Sequence, residues 1–294
     1  MTYPFARLAS KWIDTPLMIE PSKAVTIANA FAPRVLGGAV NVLGDMEQPV
    51  VEAGILRERL RDHYDRHETL HRTDGGVAVI EVEGTLVDKG AFLGASSGET
   101  SYEGLSVQVA DAHDDSIKAV VFEFDSPGGM VDGCFELADE IFELSKVKPT
   151  IAILTSCAAS AAYLLASACG SIVVPRFGVV GSIGVITMHV DARRAAEDQG
   201  FDVTVFRSGL KKADGHPLVE PRDGWSEEMQ DRLDRMRDAF AETVARYRAG
   251  SISKESALAT EAGVYEGQDA VDAGLADAVA DPKKAFRAFV EQYG

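Results

Sequence analysis

The feature that most constrains this chain is the run Ile117-Lys-Ala-Val-Val-Phe-Glu-Phe124, which stops at Asp125-Ser-Pro-Gly-Gly129. It is short, mostly apolar, and bounded by turn-forming residues. That combination predicts a buried strand ending in a glycine-rich loop. The segments around it alternate in type. Strands are predicted at 77–84, 150–154, 171–174, 184–190 and 202–207. Helices are predicted at 101–113, 131–145, 160–168 and 191–199. Strands alternating with helices predict an α/β layered domain with a largely parallel sheet.

This core is expected over residues 76–280. A helical N-terminal extension, 1–75, precedes it. Helical periodicity runs there from Pro21 to about Leu43, and a charged stretch from Glu58 to Arg72 closes at the turn signal Asp74-Gly75-Gly76. Towards the C-terminus, Trp225, Met229, Leu233, Met236, Phe240, Val244 and Tyr247 recur every three or four residues. They predict a long helix with one apolar stripe, read as core or subunit interface. Residues 281–294 predict a last short helix.

Composition narrows the function. With 46% hydrophobic and 26% charged residues the chain can build a packed core. A net charge of −17 repels phosphate backbones and anionic lipid, so neither nucleic acid nor a membrane surface is an expected partner. The three cysteines, Cys134, Cys157 and Cys169, are odd in number and form no short-spaced pair. They are expected to be small buried hydrophobes in a reducing compartment, without disulfide or zinc. The N-terminus lacks the apolar run of a secretory signal, and no stretch approaches 18 uninterrupted apolar residues. The expected location is the cytoplasm.

Three segments can carry chemistry together. Gly128 and Gly129 end the buried strand, and their backbone amides could hold a developing oxyanion; a plain strand-to-helix turn is the alternative. Ser160, in Ala158-Ala-Ser-Ala-Ala-Tyr163, sits where a strand gives way to a helix. It could be an accessible nucleophile or an ordinary helix N-cap. Lys212, in Ser208-Gly-Leu-Lys-Lys-Ala-Asp-Gly215, could serve as the base of a Ser–Lys pair if it is kept neutral, or be a solvated surface charge.

In combination these motifs are far more specific. The order Ser-Pro-Gly-Gly, Ser160, Gly181-Ser-Ile-Gly184 and Ser-Gly-x-x-Lys212 resembles the signal peptide peptidase A family of serine proteases. Within it, the likeness is greatest to the capsid (head-maturation) proteases of lambda-like phages. Pro16–Pro21, Asp125–Val131, Leu164–Ala168 and Thr260–Asp277 carry that likeness, which runs from about residue 15 to 280. The resemblance implies a Clp/crotonase-like fold and endopeptidase activity. It implies Ser160 as nucleophile, Lys212 as base, Ser182 as a hydroxyl orienting the lysine, and Gly128 and Gly129 as the oxyanion loop. No metal or other cofactor is implied. Scaffold, portal or capsid proteins, and the protease itself, are the implied substrates. A homo-oligomer with active sites near subunit boundaries is implied as well. Relatives of this kind often continue into a scaffold segment, whereas this sequence stops at Gly294, so either the scaffold is expected as a separate product or the chain has been cut; bacterial members that degrade signal peptides carry a leader or membrane anchor, and none is read here, which favours the phage-like branch.

Rival readings exist. His67-Glu68-Thr-Leu-His71 matches the HExxH zinc-protease pattern, but Arg66 and Arg72 flank it and the turn at 74–76 follows at once. A solvated charged helix is the plainer reading. His189, downstream of Ser160, would serve a Clp-type Ser–His–Asp arrangement but leaves Ser-Gly-x-x-Lys unexplained. The crotonase fold also hosts acyl-CoA chemistry, and an inactive scaffold-binding protein is a further possibility.

Overall fold

A computed structural model describes residues 15–21, 71–72, 75–89 and 99–294. The helix expected from Pro21 to Leu43 and most of the charged stretch, His67 and Glu68 included, lie outside the described residues. In chain order the elements are β1 (Leu17–Ile19), β2 (His71–Arg72), β3 (Val77–Val87), β4 (Glu99–Ser101), α1 (Tyr102–Asp111), β5 (Ala119–Met130), α2 (Cys134–Val147), β6 (Thr150–Ala159), α3 (Ala161–Ser167), β7 (Ile172–Val174), β8 (Val179–Gly181), α4 (Arg193–Asp198), a 3-10 turn (Leu210–Ala213), α5 (Trp225–Tyr247), α6 (Lys254–Ala259), β9 (Val264–Glu266), α7 (Gly267–Asp272), β10 (Ala278–Val279) and α8 (Pro282–Tyr293).

These elements divide between two compact units, the larger taking the described residues of 18–20, 46–184 and 238–294. Its sheet has the order β10-β7-β6-β5-β3-β2, with β8 beside β6, β4 beside β3 and β1 beside β5. The pairings β3–β4, β3–β5, β5–β6, β6–β7, β6–β8 and β7–β10 are parallel, while β2–β3 and β8–β9 are antiparallel. The α/β architecture with a largely parallel sheet is therefore as expected from the alternation of segments.

Both sheet faces are covered. Val77, Ala119, Val121, Ile151 and Ile153 lie on one face and pack with Phe289 of α8. The alternate residues, among them Ile80, Phe122, Phe124 and Leu154, are buried on the other. Every residue of α3 is buried, and α2 buries Cys134, Leu137, Ala138, Ile141 and Leu144. The helices begin where the sequence provides caps. Ser101 accepts from the Gly104 amide at the start of α1, and Asp281 accepts from the Lys284 amide with Pro282 in the first turn of α8.

In the apolar stripe of α5, Phe240, Val244 and Tyr247 are buried and Trp225, Met229, Leu233 and Met236 are partly buried. Just beyond it, the buried Arg248 guanidinium makes a bidentate pair with Asp277, 2.8 Å on each arm. Asp277 also accepts the Ile172 amide, so one carboxylate ties the end of α5 to β7. All three cysteines are free; Cys134 and Cys169 are buried and Cys157 is partly so. Burial pushes the Cys134 thiol up to about 12.

The smaller unit takes the described residues of 1–17, 21–45 and 185–237. Here the strands expected at 184–190 and 202–207 do not form. Leu17 and Ile186 exchange two backbone hydrogen bonds of 2.8 and 2.9 Å as an isolated bridge. Residues 202–207 pair with no strand among the described residues, and Phe206 is 92% exposed. Alternation of Phe201, Val203 and Val205 marks a possible strand face, but a strand also needs a neighbour to bond its backbone. Helix α4 covers only the middle of the expected 191–199. Among the described residues, no helix is long and apolar enough to cross a membrane.

Candidate active site

The strands around the glycine-rich loop run further than their turn signals suggest. Between the pairs Glu83/Asp125 and Thr85/Gly128, β3 has one residue and β5 has two. Between Phe124/Leu154 and Ser126/Ala158, β5 has one residue and β6 has three. These register shifts are β-bulges, which bend a strand and re-aim the residues beyond the bend. Asp125-Ser-Pro-Gly-Gly129 is thus an irregular stretch inside β5, not the plain strand-to-helix turn. Pro127 falls in the bulge, where it has no ladder amide to lose. Its carbonyl accepts the Glu20 amide at 2.9 Å.

Gly128 has φ +98, a left-handed conformation that side chains disfavour. A Cβ there would collide with the Met18 carbonyl. It would also stand 2.9 Å from the Ala159 carbonyl and 3.0 Å from the Ala161 amide nitrogen. Only glycine lets the loop lie against both residues flanking Ser160. A Cβ on Gly129 would collide with the Leu86 carbonyl.

Ser160 lies between β6 and α3 with φ 56 and ψ −119. That backbone conformation is strained for a residue bearing a side chain and costs roughly 1–3 kcal/mol. The residue is 1% exposed, and its Oγ has no hydrogen-bond partner among the described residues. Its hydroxyl does not cap α3, so the ordinary N-cap reading fails. The backbone is held firmly instead: the Ser160 amide donates to the Gly181 carbonyl at 2.8 Å, and its carbonyl accepts from Leu164 at 3.0 Å.

Ser182 follows Gly181 directly, is buried, and also has positive φ, 57. Its amide donates to the Gly263 carbonyl at 2.9 Å. Among the described residues four non-glycines have positive φ. Two are Ser160 and Ser182, and the others, Glu261 and Ala262, lead into Gly263. Strain therefore gathers around the candidate serine. The larger unit brings Ser160, Gly128 and the Gly181–Ser182 corner together.

The electrostatics of this corner are acidic. Burial pushes the Cys157 thiol on β6 up to about 11, with the Asp125 charge adding to the effect. Glu123 is held above the usual carboxylate range by burial first, then by Glu81 and Glu83 on β3. Glu81 lies in direct register with Glu123, and Glu83 with Asp125.

Lys212 belongs to the smaller unit, in the 3-10 turn after Ser208-Gly209. Its amide donates to the Gly209 carbonyl at 3.1 Å; its side chain is exposed and makes no ion pair among the described residues. The nearby carboxylates are engaged elsewhere. Lys211 pairs with Glu228 at 2.8 Å, and Arg222 bridges Asp214 at 3.0 Å and Glu228 at 2.9 Å. Lys211 is exposed.

The rival histidines fare differently. His71 lies in β2, antiparallel to β3 opposite Val79, so the helix required by HExxH does not run through it. His189 stands edge-on to Trp225 with ring centroids 4.8 Å apart, outside any described strand.

One residue escaped the sequence reading. Ser126 is completely buried, donates its hydroxyl to the Gly84 carbonyl at 2.6 Å, and accepts the Gly128 amide at 3.2 Å. Its only sequence signal is its place in Ser-Pro-Gly-Gly.

The profile of Peptidase family S49 matches residues 143–293, a span holding Ser160, Ser182 and Lys212. The chain is 35% identical over 282 residues to the capsid assembly protease C of Escherichia phage lambda, covering 95% of this chain and 64% of that protein. It is 36% identical over 279 residues to the head-tail preconnector protein GP5 of Enterobacteria phage P21, covering 93% of this chain and 54% of that protein. The chain therefore spans less than two thirds of either relative. Among solved structures, a ClpP1 variant from Listeria monocytogenes overlaps 78% of this chain and 98% of its own, at 13% identity and TM-score 0.42.

Proposed function

The chain belongs to peptidase family S49, and from that premise we propose that it is a serine endopeptidase acting through Ser160 and Lys212 in phage head maturation. The observation that carries the reading is Ser160 itself. A buried serine on a strained backbone at a strand-to-helix junction, its hydroxyl unpartnered among the described residues, has no structural occupation there.

In the proposed reaction, neutral Lys212 Nζ takes the proton from Ser160 Oγ, which attacks the scissile carbonyl. The Gly128 and Gly129 amides hold the oxyanion, and Ser182 helps to orient the lysine. The lysine ammonium gives its proton to the departing amine. Water, deprotonated by the same lysine, then releases the acyl group. The proposed substrates are scaffold, portal or capsid proteins, and the protease itself, a reading supported by a relative named as a capsid assembly protease. The proposed setting is the host cytoplasm, inside the assembling head. Lys212, exposed and without an ion pair among the described residues, favours a homo-oligomer with active sites near subunit boundaries. Such an arrangement would keep the enzyme silent until it is concentrated in a forming shell.

The test is cleavage of a co-expressed scaffold or portal protein by wild type, Ser160→Ala, Lys212→Ala and His67→Ala. The reading requires loss of cleavage in the first two variants only, with a chelator lacking effect. Cleavage that survives Ser160→Ala but stops with chelator or His67→Ala would overturn it.

A further inference from the structure

We infer that Ser126 is a positioning residue that holds the oxyanion loop in its working shape, an inference resting on the serine-protease reading above. Three observations carry it. Ser126 is 0% exposed, and its hydroxyl is engaged with backbone groups. Its two hydrogen bonds go to backbone on opposite sides of a register shift: Gly84 O on β3 at 2.6 Å and Gly128 N on β5 at 3.2 Å. Both partners stand at this shift, with Gly84 skipped in the pairing and Gly128 re-entering it opposite Thr85.

A buried carbonyl or amide at a break in a ladder needs another partner. Ser126 supplies both partners at once, because a hydroxyl donates one hydrogen bond and accepts others. The consequence is directional. Gly128 has the left-handed φ of +98 and touches the backbone on both sides of Ser160. Glycine could take up many other conformations at that position, so the sequence Pro-Gly-Gly cannot by itself fix where the loop amides point. The Ser126 hydroxyl fixes them, with Gly84 as its anchor. It touches no reacting atom, and acts through Gly128 and Gly129.

The test uses the full chain under conditions where wild type cleaves a peptide substrate. Four quantities are measured for Ser126→Ala and Ser126→Cys: kcat, KM, thermal midpoint, and affinity for a peptide aldehyde. The aldehyde forms a hemiacetal oxyanion on the nucleophile and so reports the loop. An oxyanion donor that is removed costs about 100- to 1,000-fold in kcat, and a donor merely misdirected is expected to cost about 10- to 100-fold. The inference predicts that loss in kcat for Ser126→Ala, KM within about twofold, and aldehyde affinity weakened in parallel with kcat/KM. Ser126→Cys, similar in size but a weak hydrogen-bonding group, should lie between, and it decides the matter if the alanine variant does not fold. A kcat within twofold of wild type, or a loss confined to KM and thermal stability with aldehyde affinity unchanged, would overturn the inference. Failure of the underlying reading looks different: cleavage would then persist in Ser160→Ala, measured in the same series.

Discussion

If Ser160 is kept for chemistry, the fold should be better off without it. Two costs are visible. The buried hydroxyl lacks a partner among the described residues, which costs about 1–3 kcal/mol relative to a satisfied group. The backbone sits at φ 56, which costs a further 1–3 kcal/mol or so for any residue with a side chain. Ser160→Ala removes the first cost and keeps the second, so it should gain about 1 kcal/mol. Ser160→Gly removes both, about 2 kcal/mol at the low end of each range, but loses roughly 0.5–1 kcal/mol to the greater freedom of glycine in the unfolded chain, for a net gain of about 1–1.5 kcal/mol. At about 2–4 °C per kcal/mol for a chain of this length, both variants should melt about 2–6 °C above wild type while losing activity. Calorimetry or circular dichroism on the three proteins decides it, with wild type inhibited or kept free of substrate to exclude self-cleavage. A fall of more than about 2 °C in either variant would refute the reasoning and make Ser160 a structural residue.

The same geometry sets other expectations. Gly128→Ala should fold but lose about 100-fold or more in kcat, because the new methyl meets Met18, Ala159 and Ala161 backbone and must push the loop away; unchanged kcat with an intact circular dichroism spectrum would contradict this. Asp277→Ala should cost roughly 3–5 kcal/mol by leaving the Arg248 guanidinium buried without its bidentate partner. The double variant Arg248→Met/Asp277→Leu should recover most of it, and denaturant titration measures both. Glu123→Gln should raise the melting temperature at pH 7 but not at pH 4. Burial, Glu81 and Glu83 lift the folded-state value above the usual 4.5, so the cost of the charged form appears only as pH rises through that range. Equal shifts at both pH values would argue against it.

Much of this was legible in the sequence, and the exceptions share a cause. Runs such as Ile117–Phe124 and Thr150–Leu154 gave their strands because burial on both faces leaves a continuous apolar signature. Ser160 and Lys212 stand out as candidates only in combination, since each alone has a commoner explanation. What the sequence hid was register. Gly84 and Asp125–Gly129 carry strong turn chemistry, yet β3 runs on to Val87 and β5 to Met130 through bulges. Local propensity cannot distinguish a turn from a bulge, because the difference lies in the neighbouring strand. Ser126 was overlooked for the same reason: its partners are set by that register. Residues 202–207 failed in the opposite sense, with a good alternating pattern but no paired neighbour among the described residues.

The central claim, a serine nucleophile activated by a lysine, is tested most directly by active-site labelling. The protein is treated with a peptidyl fluorophosphonate, and the modified residue and its rate of modification are read by mass spectrometry across a range of pH. The account predicts one adduct, on Ser160, forming far more slowly in Lys212→Ala at every pH. An adduct on another residue, or a rate at Ser160 unchanged in Lys212→Ala, would contradict it.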